Sequence, residues 1–360
     1  MKEYNNSDTN GGITAKIKPR IDLENRTRLE TVIPLSVPYI INIDPCDKCN
    51  FRCKFCPTAD HELMRATPGR YHGRLDFELY KKIIDDICEF AEPIKVLRLY
   101  KDGEPLVHDK FAEMIRYAKA SGCAERVDTT TNASLLSPAK GIEIIEAGLD
   151  RINISIYGMR PEQYREFSKY NINFEKLVEN ITHFYQYKKK KWGDEHAEKC
   201  EMIVKINGDI ISKEDAEKFA EIFGNIADGI YIEHVMSCWP QYDLKEKGVQ
   251  VNQELGIYGQ TIKEVKTCPY IFYSFSVNSD GTASTCFLDW SRKLIIGDTK
   301  TQSVKEIWHG APLKAHQQMM LEGKRKEHPV CGSCGQMSHG LPDDIDPYAD
   351  KLLEKLLAKI

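Results

Sequence analysis

Hydrophobic and polar positions along this chain fall into two periods. Six short runs are rich in β-branched and apolar residues: Tyr39–Ile43, Ile94–Tyr100, Arg126–Thr131, Arg151–Tyr157, Met202–Asn207 and Ile230–Val235. Several read as apolar on both faces, the pattern of buried parallel strands. Helical segments fall between them. Phe77, Tyr80, Ile84, Ile87 and Ala91 recur at three- and four-residue spacing and predict one buried helical face. Ser137-Pro138 reads as an N-cap followed by proline at the first helical position, with Gly148 closing that helix. Ser212 with Asp215 resembles a capping box ahead of Ala216, Phe219, Ala220 and Phe223. Six β/α repeats predict an α/β fold, a partial parallel (β/α)6 barrel. Such barrels carry their chemistry in the loops at the C-terminal ends of the strands.

After about residue 245 the pattern changes. Phe272–Val277 and Thr282–Phe287 flank Asn278-Ser279-Asp280-Gly281, a β-hairpin signal. A helix around Val304–Trp308 and an amphipathic stretch near Leu313–Glu322 follow. The expected organisation is a polar, loose N-terminal arm (1–36), the partial barrel (37–245), a smaller second domain of hairpin plus helix (246–345) and a C-terminal helix (346–360). That helix carries Leu352, Leu353, Leu356 and Leu357.

Composition narrows the class. A chain of 360 residues is long enough for a large domain and a smaller one. Its 41% hydrophobic and 29% charged content is ordinary for a globular protein. A formal net charge of −4 makes no electrostatic case for a nucleic-acid or membrane partner. The basic run Lys188-Lys189-Lys190-Lys191 reads as the solvated end of a helix. The N-terminus has no apolar signal region, and no apolar run approaches the roughly 20 residues that span a bilayer. A cytoplasmic protein is expected, and in that compartment 12 cysteines point to metal or catalysis rather than disulfides.

The cysteines are clustered. Cys49, Cys53 and Cys56 form a C-x3-C-x2-C run just after the first predicted strand. Structural zinc is normally four-coordinate, and catalytic zinc sites usually mix in histidine, whereas thiolates also select iron–sulfur clusters. Cys268, Cys286, Cys331 and Cys334 form a second group, two bracketing the hairpin and two in a C-x2-C knuckle. Spacing alone leaves that group open to zinc or an iron–sulfur cluster. Cys88, Cys123 and Cys200 read as packed or element-boundary residues, and Cys46 as one ligand too many beside the first triplet. Cys238 lies just past the sixth strand, at the catalytic end.

The triplet, with Phe55 before its last cysteine, resembles the signature of the radical S-adenosylmethionine (SAM) enzymes. That resemblance implies a [4Fe-4S] cluster held by three cysteines, its open iron chelating SAM, and reductive cleavage of SAM to a 5′-deoxyadenosyl radical. Asp102-Gly103-Glu104-Pro105 resembles the family's Gly-Gly-Glu-Pro motif. Gly103, Glu104 and Pro105 match it, and Asp102 stands in place of a glycine. The resemblance implies that this turn holds the SAM amino group, that Phe55 lies against the adenine, and that Asn132, Ser155 and Arg165 serve the ribose and carboxylate. The second cysteine group resembles a shortened SPASM region, the twitch domain of the 2-deoxy-scyllo-inosamine dehydrogenases. It implies an auxiliary [4Fe-4S] cluster with four cysteine ligands.

An all-cysteine auxiliary cluster can accept an electron. The first expectation is therefore an oxidoreductase that oxidises a secondary alcohol of a sugar, cyclitol or sugar nucleotide to a ketone. Its electrons for SAM cleavage would come from a reductant such as flavodoxin or ferredoxin. Glu233, His234, Asp243 and Asp289 are candidate bases, although sequence does not show hydrogen-bond reach. Two alternatives stand beside it: peptide or protein modification (thioether formation, epimerisation or sulfatase maturation), and sugar epimerisation with Cys238 as hydrogen donor.

Overall fold

The structure, a computed structural model, describes residues 12–23, 25–340 and 343–358. Residues 1–11 and 24 of the expected arm, 341–342, and 359–360 of the expected last helix lie outside the described residues.

Six strands match the six predicted runs: β2 (Ile40–Ile43), β3 (Ile94–Leu99), β4 (Ala124–Thr131), β5 (Arg151–Ile156), β6 (Glu201–Asn207) and β7 (Gly229–Glu233). They pair in parallel in chain order, with helices in every crossover. The predicted helix signals are present. Ser137 accepts from Lys140 N with Pro138 at the first helical position, and Ser212 and Asp215 form a reciprocal capping box. In the helix Phe77–Ile87, Tyr80, Ile84 and Ile87 are buried, while Ala91 lies past its end and is exposed.

Two further strands extend the barrel sheet beyond the six repeats. Within the arm expected to be loose, β1 (Lys16–Ile17) pairs in parallel with β7. At the other edge β8 (Ser274–Val277) pairs in parallel with β2, and then forms the predicted hairpin with β9 (Thr282–Ser284). β10 (Ile295–Asp298) completes one ten-stranded sheet. The C-terminal region is thus continuous with the barrel through the β2–β8 ladder. The last helix, Ala349–Leu357, buries Leu352 and Leu356 in a cluster with Ile271, Phe272, Met320 and Leu321.

The strands are not apolar on both faces as the sequence suggested. Side chains alternate across a strand. Ile152, Ile154 and Ile156 of β5, and Met202, Val204 and Ile206 of β6, join the core beneath the helices. The intervening Asn153, Ser155 and Lys205 face the barrel interior, as do Arg98 of β3 and Asp128 of β4, which pair at 3.9 Å. The physical reason is curvature: a sheet covered by helices on one side and curled on the other needs only one apolar face.

Lys188 corrects another expectation. Rather than ending a solvated helix, its ammonium is fully buried, donating to Cys200 O at 2.7 Å and pairing with Asp228. The long apolar stem fills space while the charge finds a partner. Among the described residues no helix is long and apolar enough to cross a membrane.

Candidate functional site

The loop after β2 carries Cys49, Cys53 and Cys56 and is held from several sides. Arg52 N and Lys54 N donate to Ser168 O and Phe167 O at 2.8 and 2.9 Å, at the end of helix Pro161–Ser168. Asn50 donates to Ser134 Oγ at 2.7 Å and accepts from Asn132 Nδ2 at 3.0 Å. Trp239 Nε1 donates to Phe55 O at 3.0 Å. The Phe55 ring stacks parallel to Tyr157, centroids 5.9 Å apart.

The turn after β3 touches this loop directly. Glu104 N donates to Lys48 O at 3.0 Å, and Thr58, beside Cys56, donates to Asp102 O at 2.8 Å while lying 2.9 Å from Cys56 Sγ. Glu104 is buried and accepts three hydrogen bonds: from Leu106 N, Thr131 Oγ1 and Asn132 N. Its carboxylate therefore ties the Gly103-Glu104-Pro105 turn to the tip of β4, so Asn132 and Glu104 act as one unit. Asp102, where the resemblance predicts glycine, is the shared anion of Arg70 (2.8 Å), Lys101 (2.9 Å) and Arg292 (3.0 Å). Arg292 comes from the C-terminal region, so this buried ion cluster joins the two parts of the chain.

None of the twelve cysteines forms a disulfide. Burial first, then the charge of Glu104, pushes Cys49 up to about 12. Burial, then the charges of Cys56 and Cys49, holds Cys53 well above its usual value. Cys49 and Cys53 thus lie within the field of each other and of Cys56. Soft sulfur donors in this state fit an iron–sulfur centre, which would supply positive charge. The second group is likewise held above its ordinary range by burial, with the charge of Arg325 working the other way on Cys268, Cys331 and Cys334. Cys286 is held well above its usual value by burial and then by the charges of Cys334, Cys268 and Cys331, so it lies within the field of the other three thiols. Burial, then Cys334, pushes Cys268 up to about 12. Cys331 and Cys334 are presented by a knuckle whose Cys331 carbonyl is clasped by Arg325 at 3.0 Å.

A strap, residues 235–244, runs between the two cysteine groups. Cys334 Sγ lies 3.4 Å from Cys238 O, Trp290 Nε1 donates to Pro240 O at 2.8 Å, and Tyr242 OH donates to Lys54 O at 3.4 Å. Cys238 is buried, its thiol pushed upward by burial and then by the charges of Cys334 and, further down in effect, Cys56.

The barrel interior beside the strap is polar. Arg20, delivered by the arm after β1, donates to Tyr100 OH at 3.4 Å, and Arg151 holds its carbonyl at 2.9 Å. Glu233 pairs with Lys205. Arg20 Nε, Arg98 Nε, Asp128 Oδ1, Thr130 Oγ1, Asn153 Oδ1 and Glu233 Oε1 are buried without a hydrogen-bond partner among the described residues. A separate cavity of about 450 Å³, lined by charged residues such as Lys18, Arg126, Arg151 and Glu201, opens at the N-terminal ends of the strands, opposite the cysteines.

The structure brings the seven cysteines, Phe55, Gly103, Glu104, Pro105, Asn132, Ser155, Glu233 and Cys238 to the C-terminal side of the barrel. Other candidates lie elsewhere or are engaged. Arg165 is solvent-exposed and paired with Glu162 at 2.6 Å. Asp243 is exposed and caps Lys245 N. Asp289 is buried with its carboxylate taken by Ser284, Lys293 N and Leu294 N, a structural role. His234 holds Asp209 at 2.9 Å. Cys88, expected to be packed, is exposed because it caps a helix end. Sequence reasoning missed Arg20, Arg98, Asp128, Asn153 and Lys205. The alternation in Arg151-Ile-Asn-Ile-Ser-Ile was the available signal for the strand residues; Arg20 had none.

Two groups of neighbouring thiols, buried at Cys53 and half-buried at the other six, point to an iron–sulfur protein. Residues 43–221 match the radical SAM superfamily, and residues 268–335 match the iron–sulfur cluster-binding SPASM domain. The chain is a radical SAM iron–sulfur enzyme with a C-terminal SPASM domain, which implies a SAM-binding [4Fe-4S] cluster and an auxiliary cluster. Among curated relatives, it is 31% identical over 138 residues to a GTP 3′,8-cyclase of Heliobacterium modesticaldum, covering 36% of this chain and 38% of that one. It is 31% identical over 138 residues to an AdoMet-dependent heme synthase of Oleidesulfovibrio alaskensis, covering 38% and 33%. These matches span little more than a third of the relatives' length. Among solved structures, BtrN in complex with AdoMet and 2-DOIA superposes with a TM-score of 0.52 at 16% identity, covering 85% of this chain and 98% of that one. Streptococcus suis SuiB bound to the precursor peptide SuiA gives 0.57 at 12% identity, covering 89% and 78%. At these identities the likeness is one of fold.

Proposed function

We propose that this enzyme oxidises a secondary alcohol of a small, polyhydroxylated substrate (a sugar, cyclitol or sugar nucleotide) to a ketone, the substrate lying in the barrel interior. The observation that carries this reading is the set of buried polar atoms there that make no hydrogen bond among the described residues: Arg20 Nε, Thr130 Oγ1, Asn153 Oδ1 and Glu233 Oε1, beside the loose 3.9 Å pair of Arg98 Nε and Asp128 Oδ1. Buried polar groups are nearly always hydrogen-bonded in native proteins. A wall of guanidinium, amide, hydroxyl and carboxylate groups suits a ligand with many hydroxyls, whereas an apolar peptide side chain would leave them unmatched. The names of the sequence relatives span GTP cyclisation and haem synthesis, so they support radical chemistry in the barrel and leave the substrate to this interior. BtrN, crystallised with 2-DOIA, is a fold neighbour with a small-molecule ligand; SuiB, crystallised with a peptide, is another.

In this reading Cys49, Cys53 and Cys56 hold the SAM-binding cluster, and Cys268, Cys286, Cys331 and Cys334 hold the auxiliary one. When bound, these groups supply hydrogen-atom abstraction and an electron acceptor respectively. The chain supplies the rest. Gly103 brings backbone against the cluster loop, Phe55 and Tyr157 form an aromatic wall, and Arg20 and Lys205 orient polar substituents. Glu233, with Oε1 unpartnered, accepts the hydroxyl proton.

A second reading rests on Cys238. Its buried position between the two cysteine groups suits hydrogen-atom return to a substrate radical, which would give epimerisation.

The test is 5′-deoxyadenosine release from anaerobically reconstituted protein with SAM and a reductant, comparing sugars, cyclitols and sugar nucleotides with peptides. The proposal expects stimulation by a member of the first panel and a product two mass units lighter. A product of unchanged mass, lost in Cys238→Ala while SAM cleavage persists, would establish the epimerase. Stimulation by peptides alone would overturn both.

A further inference from the structure

His316 lies on the helix Ala311–Leu321, one residue from Gln317, whose Nε2 donates to Ile271 O at 2.8 Å. That bond fixes the helix against the turn that follows Cys268. From there His316 Nε2 reaches Cys331 Sγ at 3.5 Å. On its other side His316 stacks on His328, ring centroids 5.2 Å apart and planes 19° from parallel. His328 is itself held: its Nδ1 accepts from the backbone N–H of Val330 and of Cys331, both at 3.2 Å. His328 O also accepts from Gly332 N at 2.8 Å.

The three side chains offer donor atoms that all lie within 4.8 Å of one another, a spacing compatible with a metal ion. Two features argue against a separate ion. The Nδ1 lone pair of His328 is already engaged by two backbone N–H groups, which leaves the proton on Nε2. Cys331 also lies within the field of Cys268, Cys286 and Cys334, and so is not a neighbour of the histidines alone. What remains is a hydrogen bond. A sulfur bound to iron as thiolate has no proton and can only accept, so His316 Nε2 must be the donor in the assembled protein.

We propose that His316 is a tuning residue of the auxiliary centre, donating a hydrogen bond to Cys331 Sγ that raises the reduction potential of a cluster bound there. The inference rests on the ligand assignment made above. The physical cause is electrostatic. The reduced cluster carries one more negative charge, so an N–H dipole aimed at a ligand sulfur stabilises the reduced form more than the oxidised one. A higher potential suits a centre that takes an electron from a substrate radical. His328 braces the arrangement from behind, which makes the orientation of the donor a property of the knuckle and not of the helix alone.

The experiment uses full-length protein carrying Cys49→Ala, Cys53→Ala and Cys56→Ala, so that only the auxiliary centre is loaded. Its midpoint potential is read by EPR-monitored titration, beside iron content. In that background His316→Phe keeps the ring and the stacking but loses the donor. We expect unchanged iron and an about tenfold fall in the ratio of reduced to oxidised cluster at a fixed poise, ~59 mV for one electron. His316→Gln, which restores an N–H, should recover most of that ratio. An unmoved midpoint with iron unchanged would overturn the proposal, as would loss of iron in His316→Phe with retention in His316→Gln at an unmoved potential. Zinc in place of iron would also overturn it, in favour of a His316, His328 and Cys331 metal site. Absence of any metal from the parent triple variant would remove the auxiliary-cluster assignment itself.

Discussion

Gly103 and Cys46 are in backbone contact: a Cβ added to Gly103 would lie 2.1 Å from the Cys46 carbonyl oxygen and 2.5 Å from that of Lys48. Both neighbours are main chain, so neither can rotate away. Gly103→Ala must push the turn after β3 off the cysteine loop, at about 1–3 kcal/mol for overpacking. We expect a lower thermal midpoint, reconstituted iron falling towards that of the Cys49/Cys53/Cys56 triple variant, and lost SAM cleavage. Wild-type iron and cleavage in Gly103→Ala would show that the two segments separate freely.

Asp102 is the common partner of Arg70, Lys101 and Arg292. Burial alone would raise its carboxyl; the charges of Lys101, Arg70 and Arg292 outweigh that and hold it below its ordinary value of 3.8. A depressed carboxyl stabilises the fold above its ordinary range and loses that contribution as pH falls through the depressed value. Asp102→Asn removes the anion shared by three buried cations, of which Arg70 keeps Asp47 at 3.7 Å, at about 3–5 kcal/mol. The loss in thermal midpoint should be large at pH 7 and shrink below about pH 4. A pH-independent loss would indicate a packing effect instead.

Asp44 has the opposite sign. Burial, and then the charge of Asp102, raise its carboxyl towards about 7, against the opposing Lys101 and Arg292 and with a smaller push from Asp47. A raised carboxyl contributes stability below its ordinary range, and that contribution is lost as pH rises through the raised value. Asp44→Asn keeps the shape of the neutral acid, so it should raise the thermal midpoint relative to wild type most at pH 8, less at pH 5 and little below about pH 4. Equal effects at pH 8 and below pH 4 would contradict the shift.

Lys188 and Asp228 form a buried pair on the helix-covered side of the barrel. Lys188→Met fills the space but strands Asp228, which otherwise keeps only the Met202 N–H at 2.6 Å and a 3.1 Å contact to His196 Nδ1. The expected cost is about 3–5 kcal/mol, read by denaturant unfolding. Because the pair lies at the N-terminal ends of β6 and β7, remaining folded protein should keep its iron content. A near-neutral effect would place Lys188 at a hydrated position.

The sequence by itself determined the elements whose signals are local. Strand and helix order follow from the change of period, the caps at Ser137 and Ser212 from side chains that reach their own backbone, and the two cysteine groups from spacing within single loops and one knuckle. Tertiary structure alone decided which polar residues matter. Asn153 and Lys205 became interior only when the sheet curled, and Arg20 when a two-residue strand in a polar arm paired with β7. Arg165 and Arg20 look alike in sequence, yet one pairs with Glu162 in solvent and the other points into the barrel. Asp102, read as a departure from a motif, gained its role from Arg70 and Arg292, 32 and 190 residues away. Burial and partner choice depend on which segments meet across the fold, and that is set by long-range packing that no local pattern contains.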